Sequence, residues 1–246
     1  MNYASASTKI TAESTSNTMY IVLSHDDTVL TIEENVSSTI ILQNATAKIQ
    51  NNTVHITLLR NARAQIYLCV TEQTIETITI ELLLHGDGAD AEVKSIIALD
   101  AHESITIKTV QKHSASHTQS QVIVKALLAD YAQLKYEGLI SVDKQAHNTT
   151  AAQQNKNMLL SEYARAYARP SLEVQTNEVK CSHGSATGPI DSNQLLYLMS
   201  RGMAQRQARH LLLQGFIADV LQELSTSEYE EIIEKIMKKI EKEHNG

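Results

Sequence analysis

Cys181 and His183 are the residues best suited to binding a soft metal, and they stand two apart in Lys180-Cys-Ser-His-Gly-Ser-Ala-Thr-Gly188. Along an extended segment successive side chains alternate faces, so this spacing turns the thiol and the imidazole to one side. A thiolate and a neutral imidazole are the donors that iron-sulfur chemistry or zinc uses. The same pair also fits a buried cysteine beside a hydrogen-bonded histidine near a turn, because unpaired cysteine is commonly a core residue. A cluster is held by about four protein ligands, and this strand offers only Cys181 and His183. Cys69 lies far upstream. A complete site must therefore draw ligands from another chain.

Other chemistry-bearing patterns are weaker. His113 and His117, in Lys112-His-Ser-Ala-Ser-His-Thr118, have the spacing of a helical metal pair but lie between β runs, where a polar corner is expected. Gly86-Asp-Gly-Ala-Asp90 is one copy of a calcium-loop fragment that works only in tandem, so a plain turn is expected. There is no Walker-type phosphate loop, which excludes ATP binding by that route, and no Gly-x-Ser-x-Gly elbow. The carboxylates are too scattered to pair as a glycosidic acid and base. A β-helix enzyme acting on polysaccharide would need a secretion signal and clustered Asp or Arg, and neither is evident. No catalytic residue is assigned.

The 246 residues must position the Cys-x-His strand, and their composition limits how. Hydrophobic residues make up 42% and the net charge is -7, which argues against a nucleic-acid surface or a basic membrane patch. No apolar run approaches a membrane span. Met1 to Thr18 is polar, lacks the apolar centre of a signal peptide and is expected to be a flexible tail. Two cysteines cannot form a disulfide framework, so a reducing cytoplasm is expected. With no Trp and a single Phe, the core must be built from Ile, Val, Leu and Thr.

From Met19 to Val142 short β runs alternate with polar corners, for example Thr28-Val-Leu-Thr-Ile, Val54-His-Ile-Thr-Leu and Ile78-Thr-Ile-Glu-Leu. A sandwich would leave tight hairpin turns, yet Asp87-Gly88 is the lone such dipeptide. Parallel coils of about 20 residues are favoured. On the order of seven coils, each rising ~4.8 Å, would fit before His183. Propensity places a helix at Ala164 to Ala168. Beyond Gly188 the chain becomes a helical cap. The first helix runs Ser192–Arg201, opened by an Asp191/Gln194 capping box and ended by Gly202. The second runs Ala204–Leu224 with Leu211, Leu212, Phe216, Val220 and Leu221 on one face. The third opens at Ser227/Glu230 and carries Tyr229, Ile232, Ile233, Ile236 and Ile240. The expected division is a tail at 1–18, a β core at 19–189 and a helical domain at 190–246.

Gln153-x-Asn-x-Asn-x-Leu-Leu-Ser161, Pro170-x-Leu-Glu173, Val179-Lys-Cys-Ser-His-Gly184 and Tyr197-Leu-x-Ser-Arg-Gly202 follow one another with spacing that strongly resembles the SufB/SufD scaffold family of the SUF iron-sulfur cluster assembly system. Weaker likeness extends upstream through Gly86-x-Gly-Ala89, His113, Lys125 and Gly138. The resemblance implies a right-handed parallel β-helix followed by a small helical domain. It implies a scaffold, not an enzyme, that pairs through its β-helix with a SufB-like subunit or a second copy. Its helical end would dock a SufC-type ABC ATPase through Tyr197, Arg201, Gly202 and Phe216. ATP would be hydrolysed in that partner, and sulfur would come from a cysteine desulfurase system.

By resemblance the Lys-Cys-Ser-His-Gly segment is SufD-like, with His183, and Cys181 beside it, contributing to a transient iron-sulfur cluster shared with the partner; Glu173 and Lys180 belong to the supporting motif. SufB carries a cysteine after the glutamate of Pro-x-Leu-Glu, whereas here Val174 follows Glu173. Two alternatives stand beside the SufD-like reading: a SufB-like subunit of a minimal two-component system, and a structural β-helix partner without cluster ligands. A neutral imidazole ligates iron, so binding through His183 should weaken as pH falls.

Overall fold

Runs in which every second side chain is apolar dictate strands with one buried face. Fourteen strands, most of them of this kind, form in the computed structural model, which describes residues 7–11, 18–24, 26–43 and 48–241. One sheet runs β1 (Ser7–Ile10), β3 (Thr28–Ile32), β5 (Ile49–Leu58), β7 (Ile75–Leu84), β9 (Ser104–His113), β11 (Gln133–Val142) and β13 (Arg165–Val174). The other runs β2 (Thr18–Val22), β4 (Ser37–Gln43), β6 (Arg63–Val70), β8 (Asp90–Leu99), β10 (Gln119–Leu128), β12 (Thr149–Leu159) and β14 (Val179–Pro189). All pairings are parallel, so the chain winds as a β-solenoid and not a sandwich. Apolar side chains stack in register between the sheets: Leu30 on Ile56 on Leu82, and Ile40 on Ile66 on Val93, all essentially unexposed.

The coils are longer than the expected ~20 residues. Register partners stand 26 residues apart at Ser37 and Arg63, and 32 apart at Gln133 and Arg165. Most strands reach ten or eleven residues, and each coil adds two corners. One corner column is built on left-handed backbone at Asn35, Asn61, Gly88, His117 and Asn148, with φ of 59°, 52°, 74°, 58° and 56°. The ladder continues through it: Asn61 N donates to Asp87 O, Gly88 N to Ser116 O and His117 N to His147 O. One left-handed residue turns this corner in each coil, and asparagine tolerates it; Ala101 and Asp130, with φ of 50° and 49°, do the same at a second corner. Hairpin dipeptides are therefore scarce. Gly86 is demanded by proximity, since a Cβ there would lie 1.9 Å from Arg60 N.

Three expectations are corrected. Strand pairing begins inside the stretch read as a tail, because Ser7–Ile10 pairs with β3 and Thr18 opens β2; residues 1–6 and 12–17 of that stretch lie outside the described residues. Ala164 to Ala168 is not helix, since β13 starts at Arg165 and pairs with β11. There Ala166 and Ala168 pack against the main core, and that tertiary contact overrides alanine's propensity. The third helix is capped two residues earlier than expected, by Ser225 and Glu228, each side chain bonding the other's main-chain N–H.

The helices are α1 (Ser192–Ser200), α2 (Gln205–Leu221) and α3 (Thr226–Ile240). α2 and α3 lie along the outer face of the even-numbered sheet and leave the end of the rod uncovered. Ile96, Ala98 and Leu127 form the sheet side of this contact, against Leu213, Ile217, Val220, Ile233, Ile236 and Ile240. Leu211, expected in that face, is 47% exposed. Three buried ammonium groups fasten the contact. Lys94 bonds Glu92 and Glu223 at 2.9 and 2.7 Å, Lys125 bonds Asp219 and the Phe216 carbonyl at 2.6 Å each, and Lys239 reaches Asp100 and Glu103 at 3.2 and 2.7 Å.

Removing the two partners of the Lys125 pair should have unequal effects. Asp219→Ala leaves a buried ammonium with one carbonyl and should cost about 2 kcal/mol, whereas Lys125→Met leaves an exposed carboxylate over an apolar seat and should cost under about 1 kcal/mol. Urea unfolding of the two variants measures the difference.

Candidate functional site

β13 and β14 form the last coil, with no described strand beyond either. The register places Ala166, Ala168, Pro170, Leu172 and Val174 of β13 on the inward face, continuing Leu134, Tyr136, Gly138, Ile140 and Val142 of β11. It places Cys181, His183, Ser185 and Thr187 of β14 inward over Ala151, Gln153, Asn155 and Asn157 of β12. Inward here means towards the open end of the rod: Leu172 and Val174 are 39% and 40% exposed, and His183 is exposed. The expected common face for Cys181 and His183 is therefore present, and it is reachable. Glu173 and Lys180 stand at alternate positions and face outward, so they do not join the pair.

Main-chain direction distinguishes the two edges. Arg165 N and Gln175 N donate to Ala132 O and Val142 O, so odd residues of β13 turn towards β11 and even residues, Pro170 among them, towards the free edge. Pro170 has no N–H to present there, which blunts that edge. On the even sheet Thr150 N and Leu160 N donate to Thr118 O and Leu128 O, so even residues of β12 turn away from β14. Parallel pairing then uses the even residues of β14 and leaves the main-chain groups of Cys181, His183, Ser185 and Thr187 at the open edge.

The two side chains differ in surroundings. Cys181 is half-buried against a small cluster of Ile140, Val142, Ala146 and Ala151, and burial pushes its thiol up, only partly offset by a hydrogen bond from the Ala151 main chain. It sits as a neutral thiol. His183 stands on the same face with more solvent. Among the described residues no group of three or more His, Cys, Asp or Glu is placed to hold a metal, so any cluster ligated here is completed elsewhere.

Polar residues that sequence reasoning did not place lie directly beneath. Asn155 and Asn157 exchange hydrogen bonds of 3.0 and 2.7 Å, Asn157 Nδ2 donates to Thr187 Oγ1 at 3.0 Å, and Ser185 Oγ donates to Asn155 Oδ1 at 3.4 Å. The Gln-x-Asn-x-Asn pattern was legible, but alternate polar residues ordinarily mark a solvated face; here they are the inward face. Gln153 Nε2 bonds Gly138 O at 3.3 Å, and a Cβ on Gly138 would meet Gln153 Oε1 at 2.5 Å and Tyr136 Oη at 2.6 Å. Glycine makes that space.

The histidine pair is not a metal site. His117 occupies the left-handed corner, as a polar corner residue should, but His113 is fully buried at the end of β9. Its ring nitrogens bond Thr118 Oγ1 at 2.7 Å and Ser120 Oγ at 2.8 Å. Gly86 to Gly88 is a turn, as expected, and Asp90 opens β8.

Residues expected to meet an ATPase are divided. α1 buries no side chain; Leu196 and Tyr197 are 61% and 58% exposed, and the Arg201 guanidinium lies 5.3 Å from the Tyr197 ring centroid. Gly202 ends the helix at φ 94°, a conformation that favours glycine. Phe216 is not with them: it packs towards the sheet, with Lys125 Nζ 5.0 Å from its ring centroid.

The family described as "SUF system FeS cluster assembly, SufBD core domain" matches residues 3–216. The iron-sulfur cluster assembly protein SufD of Escherichia coli is 30% identical over 141 residues, 57% of this chain and 33% of that protein. SufD of Bacillus subtilis is 29% identical over 57% of this chain and 32% of that protein. A SufBD family protein of Mycobacterium tuberculosis is 33% identical over 59% of this chain and 39% of that protein. The matched segment thus spans about a third of the length of these relatives.

His113 makes the solenoid sensitive to acid. Burial pulls its imidazole from 6.5 down to about 4. Between those values the unfolded chain takes up a proton that the folded chain refuses, so stability is complete above pH 6.5 and falls as pH drops towards 4. The slope should be about 1.4 kcal/mol per pH unit. His113→Gln, which does not titrate, should lose that contribution in urea titrations across this range.

Proposed function

This chain belongs to the SufBD family of the SUF iron-sulfur cluster assembly system, and from that premise we propose that it is a SufD-like scaffold subunit. The supporting observation is the position of His183: on the inward face of the last coil, beside an open strand edge, with Cys181 on the same side. The described residues would supply part of a ligand set, His183 first, and a surface across which a second subunit brings the rest. The iron-sulfur cluster is cargo, built at that junction and passed on. His183 would ligate it through a neutral ring nitrogen. The free edge of β14 would pair with an edge strand of a SufB-like subunit or of a second copy. The unburied face of α1, with Leu196, Tyr197 and Arg201, would receive the ATPase, while Phe216 ties the base of α2 to the rod. Sulfur would reach the junction from a desulfurase system. The chain itself would perform no catalysis and would work in the cytoplasm; among the described residues no helix is long and apolar enough to cross a membrane.

A more limited role for Cys181 is favoured by its packing. A protonated thiol seated against Val142 and Ala151 serves as a small apolar group and needs no metal. The SufB-like alternative has less support, because Val174 occupies the place where SufB carries its cysteine.

Anaerobic reconstitution of the complex with its ATPase tests the ligand role. His183→Ala should lower bound iron and sulfide by at least about tenfold, the loss that even an outer-shell partner produces. Cys181→Ser should change them little. Full iron and sulfide content in the His183 variant would reject the ligand role. Native mass measurement should show this chain paired through the rod, and an α1 variant, Tyr197→Asp, should lose the ATPase while keeping the pair. A monomer that still binds the ATPase would refute pairing through β14.

A further inference from the structure

β12 supports β14 by a repeated rung: an inward amide on β12 faces an inward polar group on β14. Asn155 bonds Ser185 and Asn157 bonds Thr187. Gln153 and His183 are the third register pair in this row. Gln153 is 3% exposed, its Nε2 is committed to Gly138 O, and its Oε1 is buried with no hydrogen-bond partner. A buried acceptor left unmade is costly, and native structures rarely leave one. The neighbouring positions offer few donors. Val122 lies below Gln153 in register, and Gly138 has no side chain. Tyr136 Oη shares its hydrogen bond with Thr109 Oγ1 at 2.9 Å. The ring N–H of His183, one coil above, is the donor that the open end leaves free to turn, with the Tyr136 hydroxyl and Gln111 Nε2 as competing donors inside the rod.

We infer that Gln153 is the positioning residue for His183: once the exposed imidazole turns inward from its place in this structure, where the two do not bond, Gln153 Oε1 accepts the ring N–H that faces the rod. That bond fixes the imidazole as one tautomer, with the opposite nitrogen's lone pair turned to the open end. A histidine that ligates a metal ordinarily has its second nitrogen held in this way. The glycine at 138 is part of the device, because a methyl group there would occupy the place of the Gln153 amide. The inference deepens the ligand reading of His183 and rests on it for its purpose.

The test uses the purified, iron-free chain labelled with 15N-histidine, with the His183 signals assigned by their loss in His183→Ala. Wild type should show one tautomer in about fivefold to tenfold excess, the bias of one ordinary hydrogen bond. Gln153→Met, which keeps the side-chain length without the acceptor, should abolish the bias while the far-ultraviolet circular dichroism stays unchanged. Gln153→Glu, read at pH 8, should restore it. An unchanged tautomer ratio in Gln153→Met would overturn the inference. So would a bias that is absent in wild type and appears only in Tyr136→Phe, which would show that the tyrosine hydroxyl holds Gln153 Oε1. The readout needs no iron, so it is separable from the ligand role, which fails on its own terms if reconstituted His183→Ala keeps its iron.

Discussion

A parallel stack of coils satisfies each strand only through the coil above and the coil below. The last coil is therefore left with half of its main-chain hydrogen bonds unmade and with inward side chains that nothing covers. Here that unavoidable end falls on β13 and β14. Natural proteins cover or blunt such an end. This chain blunts one strand in its middle with Pro170, whereas the other meets a proline only at its last residue, Pro189. The helices that could have closed the rod lie along its flank instead. The uncovered end is thus a consequence of topology that the sequence treats unequally on its two strands, and the inequality singles out the strand carrying Cys181 and His183.

The flank packing keeps that arrangement rigid. α2 and α3 bury an apolar face against β8 and β10, and three lysines with little exposure tie the two layers. Desolvation pulls down the Lys94 ammonium, but its bonds to Glu223 and Glu92 outweigh that and hold it above its ordinary range. Each of the three lysines has at least one carboxylate partner, and removing that partner would leave a buried charge poorly compensated. α1 lies between this fastened pair and β14, with no buried side chain of its own. A force applied to α1 would therefore bear on a rigid body at one end and on the last strand at the other.

Much of this was legible because the hydrophobic period is a local signal. The β runs, the three helices, the Asp191 cap and the shared side of Cys181 and His183 follow from alternation and capping chemistry. What was not legible depended on contacts distant in sequence. Coil length was underestimated because the left-handed corner residue is Asn, His or Gly in different coils, and each looks like ordinary loop composition. Ala164 to Ala168 looked helical because the seat for its small side chains is supplied by β11, about thirty residues earlier. Leu211 was placed inside because apolar spacing cannot say which apolar stripe finds the sheet.

The interior polarity is the remaining link between fold and chemistry. In the early coils the inward positions are mostly Ile, Leu, Val and Ala, with Thr28, Ser38, Asn52 and Ser95 among them; from β9 onward the polar share grows, with Thr109, Gln111, His113, Tyr136, Gln153, Asn155 and Asn157. A buried polar row weakens a core unless its members are paired, so its presence in the last coils has a local cost that apolar residues would avoid. The apolar alternative is sterically available, since the same positions one or two coils earlier hold Ile107, Val124 and Ala126. What the polar row provides is donors and acceptors directly beneath the inward face of β14. An apolar floor would let an imidazole there adopt either tautomer and several rotamers; a floor of amides at fixed register narrows both. Polarity rising towards the open end is what a rod needs if its final coil is to present one oriented ligand to a second protein.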